Sequence, residues 1–500
     1  MKRFLAFVCV LLIALFAVMA FRAWRVPSPT IAPIAASEAI AVDTLAAAQR
    51  LAGAVRFPTV SLASGAPIDT AAFLGLHQHL ATSFPRVHAT LTREVLGGLS
   101  LLYTWKGTDT SLAPVVLMGH MDVVPVPEPN LKEWTHAPFS GDTAEGHVWG
   151  RGTLDDKTTV LAILEAVEGL IVAGFTPART VYLTFGHDEE VGGRYGAKVI
   201  VDTLVRRGVS PALVLDEGGF MAANLMPGLT QRAAIVGIAE KGYVSLRLKA
   251  LAEGGHSSMP TKRTAIGALS RAIAKLEANQ FPSRLEGPTR SMVEAMTPYM
   301  PFSRRLLLAN LWITEPLVRR GMAENPLGAA LQHTTTSPTM LNAGIKDNVL
   351  PPEANAVVNF RILSGETVAS VMQRVNEVVA DSQVVVALLD SVGVDPSPVS
   401  DVRSPAYQLL VSTIGAMLPN ERPPVIPYLV MGGTDAKYWG AHSDRVFRFL
   451  PIPLGEGDRS RVHGVNERVA IRDYATSVGF FARLIRSLDK LENSVGTDRN

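Results

Sequence analysis

The 500-residue chain is longer than one hydrophobic core usually organises, so two domains are expected, and its 47% of hydrophobic residues can bury both. A formal net charge of +2, with Lys and Arg dispersed, argues against a nucleic-acid partner. The single cysteine, Cys9, excludes an internal disulfide and a cysteine-based metal site.

The chain begins with an apolar segment, residues 4–21, preceded by Lys2 and Arg3. Its length of roughly 18 residues is near the lower limit for a membrane span, so residues 1–25 are predicted to be a membrane anchor or a signal peptide. The Arg and Trp residues at its end favour an uncleaved anchor, with the bulk of the chain outside the cytoplasm in a periplasm, a lumen or the extracellular space. Cleavage would make the protein secreted. Residues 26–40, rich in Pro, Ala and Ser, are a predicted linker.

Short apolar segments alternate with helical patterns after residue 41. Four nearly all-apolar segments are predicted strands of the kind that helices cover on both faces: 114–118, 180–185, 212–215 and 446–450. Helical patterns fit between them at 158–173 and 196–207. This order predicts an α/β fold with a doubly wound, mainly parallel sheet, formed by residues 41–236 and 396–493.

The pattern changes at about residue 237, where alternating strands and helices begin. Strands are predicted at 243–248, 356–361 and 384–389, with a helix from Glu366. Residues 237–395 are therefore expected to form an α+β lid or dimerisation domain inserted into the first domain. Its longest insertion, 281–331, carries Trp312 and many leucines. These helices are expected to pack on the second domain; contact with an apolar substrate or the bilayer is the alternative.

Acidic residues and histidines recur beside apolar segments almost to the end of the chain. They lie in the motifs His120-Met-Asp122, Asp155-Asp156, Glu189-Glu190, Asp216-Glu-Gly-Gly and His463-Gly-Val-Asn-Glu. Burial of so many carboxylates is unfavourable unless a cation offsets their repulsion. Several of them follow a predicted strand, where doubly wound sheets bind ligands. The sequence therefore predicts a metal site with oxygen and nitrogen ligands, which suits zinc, manganese or cobalt.

Each motif by itself has a simpler interpretation. Asp122 lies on the same side of an extended segment as His120 and can hold the second ring nitrogen of a metal-bound imidazole, but many buried histidines have a carboxylate partner. Paired acids often form solvated turns. The glycines and apolar runs beside Glu189 and Glu190 favour a site in which one acid binds metal and the other takes a proton from metal-bound water. His-Glu-x-x-His, Gly-x-Ser-x-Gly and Walker-type motifs are missing from the sequence.

These motifs resemble those of the zinc-dependent aminoacylase and carboxypeptidase family, which includes acetylornithine deacetylase and succinyl-diaminopimelate desuccinylase. The similarity is greatest to its carboxypeptidase S and N-acyl-amino-acid hydrolase branch. It extends from Arg56, in Arg-Phe-Pro-Thr-Val-Ser, to His463, and the motifs occur in the family's order. One departure from many relatives is Asp156, where they have Met, but the carboxypeptidase S branch shares the Asp.

The resemblance implies a site for two zinc ions, with cobalt or manganese as substitutes. It implies that Asp155 bridges the ions, that Glu189 is the general base and that Asp122 supports His120. It also implies a cis peptide between Asp155 and Asp156. The remaining implied ligands are His120 and Asp216 for one ion, and Glu190 and His463 for the other.

In the inserted domain the resemblance implies three further site residues. His256, in Gly254-Gly-His-Ser-Ser-Met-Pro, would help to stabilise the oxyanion, and in dimeric relatives this histidine comes from the partner subunit, so a homodimer is one expectation. Asn348 and Arg361 would bind the carboxylate or oxyanion of the substrate. Their simpler interpretations are a turn and a solvated strand residue. Thr434, in Gly432-Gly-Thr-Asp-Ala, is assigned a supporting role near the substrate.

The predicted function is hydrolysis of an amide bond next to a free α-carboxylate. Two substrates fit: a short peptide that loses its C-terminal residue, or an N-acyl amino acid; the apolar insertion and the N-terminal segment favour hydrophobic substrates. A non-catalytic metal-binding protein of the same fold is the alternative from another class, and the presence of Glu189 argues against it. A one-metal enzyme is a third interpretation, since ligand identity does not fix occupancy.

Overall fold

The computed structural model describes residues 1–27, 40–63, 65–222, 228 and 229, 231–389, 393–418, 421–455, 457 and 458, and 460–491. Most of the predicted linker 26–40 lies outside these residues. In chain order, the described helices α1 to α14 are Lys2–Trp24, Thr44–Val55, Thr70–Ser83, Pro85–Thr90, Lys157–Val172, Ala197–Arg206, Ala265–Ala278, Gly287–Met296, Phe302–Leu308, Leu311–Met322, Pro326–Ala330, Val368–Val379, Pro405–Met417 and Ile471–Ser487.

The strands form a large sheet, a smaller sheet and two short ribbons. In chain order, the described strands β1 to β19 are Thr92–Leu96, Ser100–Trp105, Val115–His120, Thr143–Ala144, His147–Trp149, Val181–Gly186, Leu213–Asp216, Phe220–Ala222, Ala233–Glu240, Gly242–Leu251, Gly255–His256, Thr335–Ala343, Val349–Leu350, Glu353–Ile362, Val384–Leu388, Val425–Val430, Val446–Arg448, Pro453–Leu454 and Arg468–Ala470.

The large sheet has a parallel centre. Its order is β1-β2-β6-β3-β7-β17-β9-β8-β18, with β16 paired to β9. The neighbours β6, β3, β7 and β17 are parallel, whereas β1 and β2 add an antiparallel edge. One core lies between the sheet and α2, α5, α13 and α14, and a second lies on the other face under α6. The doubly wound α/β prediction is confirmed, because apolar strands such as β3 are buried on both faces.

The inserted domain has a core of its own. Its sheet, in the order β12-β14-β10-β15, is antiparallel throughout, and α7 and α12 pack on it. Residues of β10 alternate between buried and exposed, as expected when one face of a sheet carries helices. The α+β prediction is confirmed. Strand β9 stays in the large sheet as far as Glu240, beyond the predicted boundary at residue 236.

The insertion 281–331 differs from expectation in where it packs. Helices α8 to α11 share a hydrophobic core with β8, β9 and β16 of the large sheet, and Leu363 is the contribution from the end of β14. The apolar residues therefore cover the edge of the first domain next to β16, while α7 and α12 occupy the helical face of the inserted sheet. Helix α1 packs along α9.

Candidate active site

Three neighbouring strands of the large sheet deliver the central residues of the candidate site. His120 is the last residue of β3, Asp216 is the last residue of β7, and Glu189 and Glu190 form a 3₁₀ turn shortly after β6. These strands lie side by side in the order β6-β3-β7 and run parallel. Their carboxyl ends therefore bring residues that are distant in sequence to one edge of the sheet.

Asp155 lies between two histidines. Its Oδ1 is 2.9 Å from Nε2 of His120, and its Oδ2 is 2.9 Å from Nε2 of His463. Asp155 immediately precedes the segment that begins α5, and the peptide bond between Asp155 and Asp156 is cis. A carboxylate that presents one oxygen to each of two imidazoles has the arrangement required to join two metal sites.

Glu190 completes a set of ligand atoms around Asp155. Its Oε2 is 3.3 Å from Nε2 of His463, and ligand atoms of His120, Asp155 and Glu190 lie within 4.8 Å of one another. Oε1 of Glu190 is buried and has no hydrogen-bond partner among the described residues. Asp216 is buried nearby but outside that set, and its two oxygens accept hydrogen bonds from the backbone N–H groups of Glu217 and Ala436.

Asp122 connects His120 to the glutamate turn. Nδ1 of His120 is 3.0 Å from the backbone carbonyl oxygen of Asp122 and 3.4 Å from its carboxylate. The same carboxylate accepts hydrogen bonds of 3.1 Å from the backbone N–H groups of both Glu189 and Glu190. Asp122 thus holds the ring of His120, leaving Nε2 to face Asp155, and fixes the turn that carries both glutamates.

The electrostatics of the site fit a bound cation. Although burial opposes it, hydrogen bonds to Asp122 and Asp155 raise the pKa of His120 well above its usual value, and hydrogen bonds to Asp155 and Glu190 raise the pKa of His463 to about 10. Burial raises the pKa of five carboxyl groups: Glu189, Glu190, Asp216, Glu217 and Asp435. All these shifts favour added positive charge, and the nitrogen and oxygen donors with the unpartnered Glu190 oxygen suit a divalent metal.

Glu467 is a positioning residue that the sequence did not reveal. Its Oε1 accepts hydrogen bonds from the backbone N–H groups of Gly152 (3.0 Å), Leu154 (2.7 Å) and Asp155 (3.3 Å), and its Oε2 pairs with Nη1 of Arg151 at 2.5 Å. Nη2 of Arg151 donates to the backbone carbonyl of His463. This buried pair therefore fixes both the loop of Asp155 and the loop of His463. The one feature of the sequence that could have pointed to Glu467 is its position at the end of the His463-Gly-Val-Asn-Glu motif.

A second buried pair holds the loop that contains Thr434. Oε1 of Glu240 accepts hydrogen bonds from the backbone N–H of Thr434 (3.1 Å), its hydroxyl (2.7 Å) and Nε of Arg448 (2.8 Å). The hydroxyl of Thr434 is thus directed at Glu240. No local pattern in the sequence marks Glu240 or Arg448, because each acts through a residue that is close only in the folded chain.

Asp435 faces the acidic cluster from this loop. It is buried, and neither carboxylate oxygen has a hydrogen-bond partner among the described residues. A Cβ atom at Gly186 or Gly193 would lie 2.4 Å or 2.0 Å from these oxygens, so the two glycines make room for the carboxylate. Glu217, next to Asp216 in the Asp-Glu-Gly-Gly motif, is a further acid of the cluster that the sequence did not single out.

The predicted residues of the inserted domain lie apart from this cluster. His256 and Asn348 are exposed on the ribbon formed by β11 and β13, and no hydrogen bond between described residues joins them to the acidic cluster. Nδ1 of His256 accepts a hydrogen bond from the backbone N–H of Ser258. Because that N–H can only donate, the neutral imidazole carries its proton on Nε2, as a donor to an oxyanion requires.

Arg361 lies half-buried on β14, with its guanidinium 4.9 Å from the ring centroid of Tyr243. Burial lowers the pKa of this guanidinium. Among the described residues this guanidinium has no carboxylate partner, so its donors can serve an anionic ligand.

Comparison with known proteins identifies the family and the fold of the chain. Residues 116–487 match the family described as peptidase family M20/M25/M40. The chain is 40% identical to a probable carboxypeptidase S-like protein 2 of Dictyostelium discoideum over 89% of this chain and 85% of the relative. It is 39% identical to the N-fatty-acyl-amino acid synthase/hydrolase PM20D1 of Bos taurus over 90% of this chain and 89% of that protein.

Among solved structures, the M20 family metallo-carboxypeptidase Sso-CP2 from Sulfolobus solfataricus has the same fold. It superposes with a TM-score of 0.65 at 18% identity, over 89% of this chain and 99% of that one. The predicted family and its carboxypeptidase S and N-acyl-amino-acid hydrolase branch are confirmed. The chain therefore belongs to peptidase family M20/M25/M40 and is a metallohydrolase that acts on amide bonds.

Proposed function

We propose that the protein is a co-catalytic two-zinc hydrolase that cleaves an amide bond next to a free α-carboxylate. The observation that carries the proposal is the position of Asp155, whose two carboxylate oxygens face His120 and His463, each at 2.9 Å. His120 and Asp216 would hold one zinc ion, and Glu190 and His463 the other, with cobalt or manganese as substitutes. Bound zinc would supply Lewis acidity and lower the pKa of a coordinated water.

The chain's own groups have distinct roles in this proposal. Glu189 takes a proton from the attacking water and passes it to the leaving amine. Asp122 keeps Glu189 in place because its carboxylate accepts a 3.1 Å hydrogen bond from the backbone N–H of Glu189. His256 donates from Nε2 to the oxyanion, which exploits the tautomer that Ser258 imposes. Asn348 and Arg361 bind the substrate carboxylate, and Thr434 shapes the loop beside it.

To reach the oxyanion of a bound substrate, His256 must be brought to the acidic cluster by a movement of its domain or from a second subunit. Since His256 is exposed on its ribbon, either rotation of the inserted domain or a partner subunit in a homodimer brings it to the substrate. Light scattering together with mixing of His256→Ala and Glu189→Gln variants separates these routes. Recovery of activity in mixed dimers indicates delivery by the partner, whereas an inactive mixture indicates delivery within one chain.

The substrate is proposed to be a short peptide or an N-acyl amino acid, with hydrophobic groups favoured. Support comes from two relatives whose names denote a carboxypeptidase and an N-fatty-acyl-amino acid synthase/hydrolase. Turnover of a benzyloxycarbonyl dipeptide is compared with that of an oleoyl amino acid. The substrate class that is left uncut is then rejected.

The proposed location is a membrane, with the catalytic part outside the cytoplasm. Helix α1 has 23 residues, and its most apolar 18-residue window has a mean hydropathy of 3.1, so the helix is long and apolar enough to cross a bilayer. N-terminal sequencing of the mature protein tests this proposal. A mature chain that begins after residue 25 would instead mean secretion.

Metal analysis and one substitution test the chemistry. We expect about two zinc ions per chain in the wild type and in Glu189→Gln, with kcat lower by about 10²–10⁴ in the variant. Glu277→Gln, a change of an exposed glutamate on α7 of the inserted domain, is the matched control and should retain activity. Protein that binds no metal would contradict the two-zinc mechanism, and undiminished hydrolysis by Glu189→Gln would contradict the role of Glu189 as the base. Protein without any amide hydrolysis would instead favour the non-catalytic binding protein.

A further inference from the structure

Helix α10 in the insertion 281–331 has two apolar faces. Its residues Leu311, Thr314 and Val318 are buried in the core shared with β9 and β16. On the opposite side Trp312 (57% exposed), Ile313 (42%) and Leu317 (57%) face outward, and Phe302 of α9, the helix in contact with α10, is exposed as well. We call these four residues the α9–α10 surface. A helix that packs on a soluble core normally has a polar outer face, so three large apolar side chains on the outer face of α10 indicate a further contact.

The position of α1 identifies that contact. The last turns of α1 pack along α9, and the side chain of Asn310, between α9 and α10, donates a 3.0 Å hydrogen bond to the backbone carbonyl of Met19. Ala23 of α1 is fully buried there, whereas the apolar window of the helix as a whole is exposed. Met19 lies only about 7.5 Å along the helix from Trp24, at a rise of 1.5 Å per residue. The α9–α10 surface is therefore level with the outer end of the apolar helix.

The charged residues at this level match a lipid interface. The outer end of α1 carries two arginines, Arg22 and Arg25, and the aromatic Trp24 between them. Helices α9 and α10 carry two further exposed arginines, Arg304 and Arg320. Nε1 of Trp312 donates to Asn310, which ties this indole to the residue that contacts α1. Aromatic and aliphatic side chains bordered by arginines are typical of helices that lie about 5–10 Å deep at the headgroup boundary, where arginines contact phosphates.

We propose that the α9–α10 surface lies in the lipid interface beside α1, so that the bilayer is its ligand. This inference rests on the proposed membrane anchor, but it adds a second, peripheral contact. The catalytic domain would then be held to the membrane at two points, α1 and the α9–α10 surface. Because the same helices share a core with β16, the strand before the Thr434 loop, the contact fixes how the candidate site is oriented relative to the lipid.

Spin labels on the full-length protein test this surface. Cys9, the only cysteine, is replaced by Ser, and a nitroxide is attached at Trp312→Cys or Leu317→Cys before reconstitution in vesicles of phosphatidylcholine and phosphatidylglycerol. The matched control is Val172→Cys at the end of α5, which is 70% exposed on the large-sheet domain. We expect the labels at Trp312 and Leu317 to collide with oxygen in preference to a water-soluble nickel chelate, and the label at Val172 to show the reverse.

Equal nickel accessibility at all three sites, with α1 inserted as shown by a label at Leu15→Cys, would overturn the proposal. A second measurement does not depend on labelling. In Ile313→Asp with Leu317→Asp, the thermal unfolding midpoint in detergent should stay at the wild-type value, because both side chains are exposed. In vesicles, the intrinsic tryptophan fluorescence of this variant should lose the part of its quenching by brominated lipid that Trp312 provides. Undiminished quenching would likewise contradict the inference.

Discussion

The large-sheet domain and the inserted domain hold their predicted site residues in different ways. In the large-sheet domain, loops with His120, Asp155 and Glu190 are fixed by buried carboxylates of Asp122 and Glu467, each of which accepts several backbone N–H groups. In the inserted domain, by contrast, the corresponding residues lie on an exposed ribbon or a half-buried strand. Metal ligands that repel one another need a rigid frame, whereas groups that bind substrate must first let it enter.

Removal of Asp155 should cause the largest loss of metal content and activity, because Asp155 belongs to the rigid site of the large-sheet domain. In Asp155→Ala the two histidines lose the carboxylate that each faces at 2.9 Å, so neither metal site keeps its shared ligand. We expect metal content to fall below one ion per chain and kcat to fall by more than about 10³, the upper end of the loss of about 10²–10³ caused by removal of one oxyanion donor. Mass spectrometry of metal content and an amide hydrolysis assay check this.

The control is Asp142→Ala, which removes an exposed aspartate that pairs with His136. It should leave both metal content and hydrolysis at wild-type values. Full metal content in Asp155→Ala would contradict the bridging role.

Glu467→Ala should destabilise the large-sheet domain as well as its site. The substitution leaves the buried guanidinium of Arg151 without its carboxylate and three backbone N–H groups without their acceptor. Loss of one partner from a buried ion pair costs about 3–5 kcal/mol of unfolding free energy. Urea unfolding of wild type and variant measures the difference.

An exposed pair in the inserted domain provides the control. Glu353→Ala removes the carboxylate that pairs with Lys249 at 2.6 Å on the surface, and its midpoint should barely change. Equal midpoints for Glu467→Ala and Glu353→Ala would mean that the Arg151–Glu467 pair does not support the loops. Glu467→Gln, which keeps one oxygen acceptor, should lie between the wild type and Glu467→Ala.

Much of the large-sheet domain was predictable because its strands have a simple signature. β3, β6 and β7 are short, apolar and buried on both faces, so their sequences show no alternation and end at the acidic motifs. Their helices α5 and α6 were predicted to within a residue or so at each end. The candidate ligand motifs were recognisable because polar residues that follow such strands lie where sheets of this kind bind their ligands.

Other features depend on contacts between distant parts of the chain. Glu467 is one glutamate in a polar segment, and only the fold brings it to residues 152–155. The outer face of α10 carries large apolar residues as its buried face does, so the sequence does not tell which side meets the core. The packing of 281–331 on β16 instead of the second domain was missed for the same reason.

Loss of His256 should affect catalysis and leave stability unchanged, in contrast to loss of Glu467. Because His256 is exposed and its ring contacts Ser258 of its own loop, His256→Ala should keep the wild-type midpoint in urea. If its Nε2 donates to the oxyanion, kcat should fall by about 10²–10³, or about 2.7–4 kcal/mol in activation free energy. Steady-state kinetics with either proposed substrate measure this.

His442→Ala, a change of an exposed histidine in the large-sheet domain, is the matched control for His256→Ala and should retain full activity. Ser258→Ala should have a smaller effect than His256→Ala, because the backbone N–H of residue 258 still donates to Nδ1. An unchanged kcat in His256→Ala would remove the inserted domain from the proposed chemistry.

The smallest expected effect concerns Lys241, at the joint between the two domains. Lys241 lies between β9 and β10, and its buried Nζ donates to the backbone carbonyls of Ala330 and His333, both at 2.8 Å. Burial lowers the pKa of Lys241 to about 8. The unfolded chain keeps its proton up to about pH 10.4. Between these values the unfolded state binds more protons, so this group makes the unfolding free energy rise with pH, by at most about 1.4 kcal/mol per pH unit.

Lys241→Met lacks this titration while keeping most of the apolar stem, so the stability of the wild type relative to the variant should increase from pH 7 to pH 9. Urea unfolding of both proteins at the two pH values measures the change, and other titrating groups cancel in the difference. Lys249→Met, which removes an exposed lysine of β10, is the control for the loss of a lysine side chain. If the difference in unfolding free energy between wild type and Lys241→Met does not change with pH, Lys241 has its ordinary pKa in the folded protein. The interface between the two domains would then be open to water. A rising difference would show that the interface excludes water, and that any rotation delivering His256 must break the two hydrogen bonds of Lys241 or carry their acceptors with it.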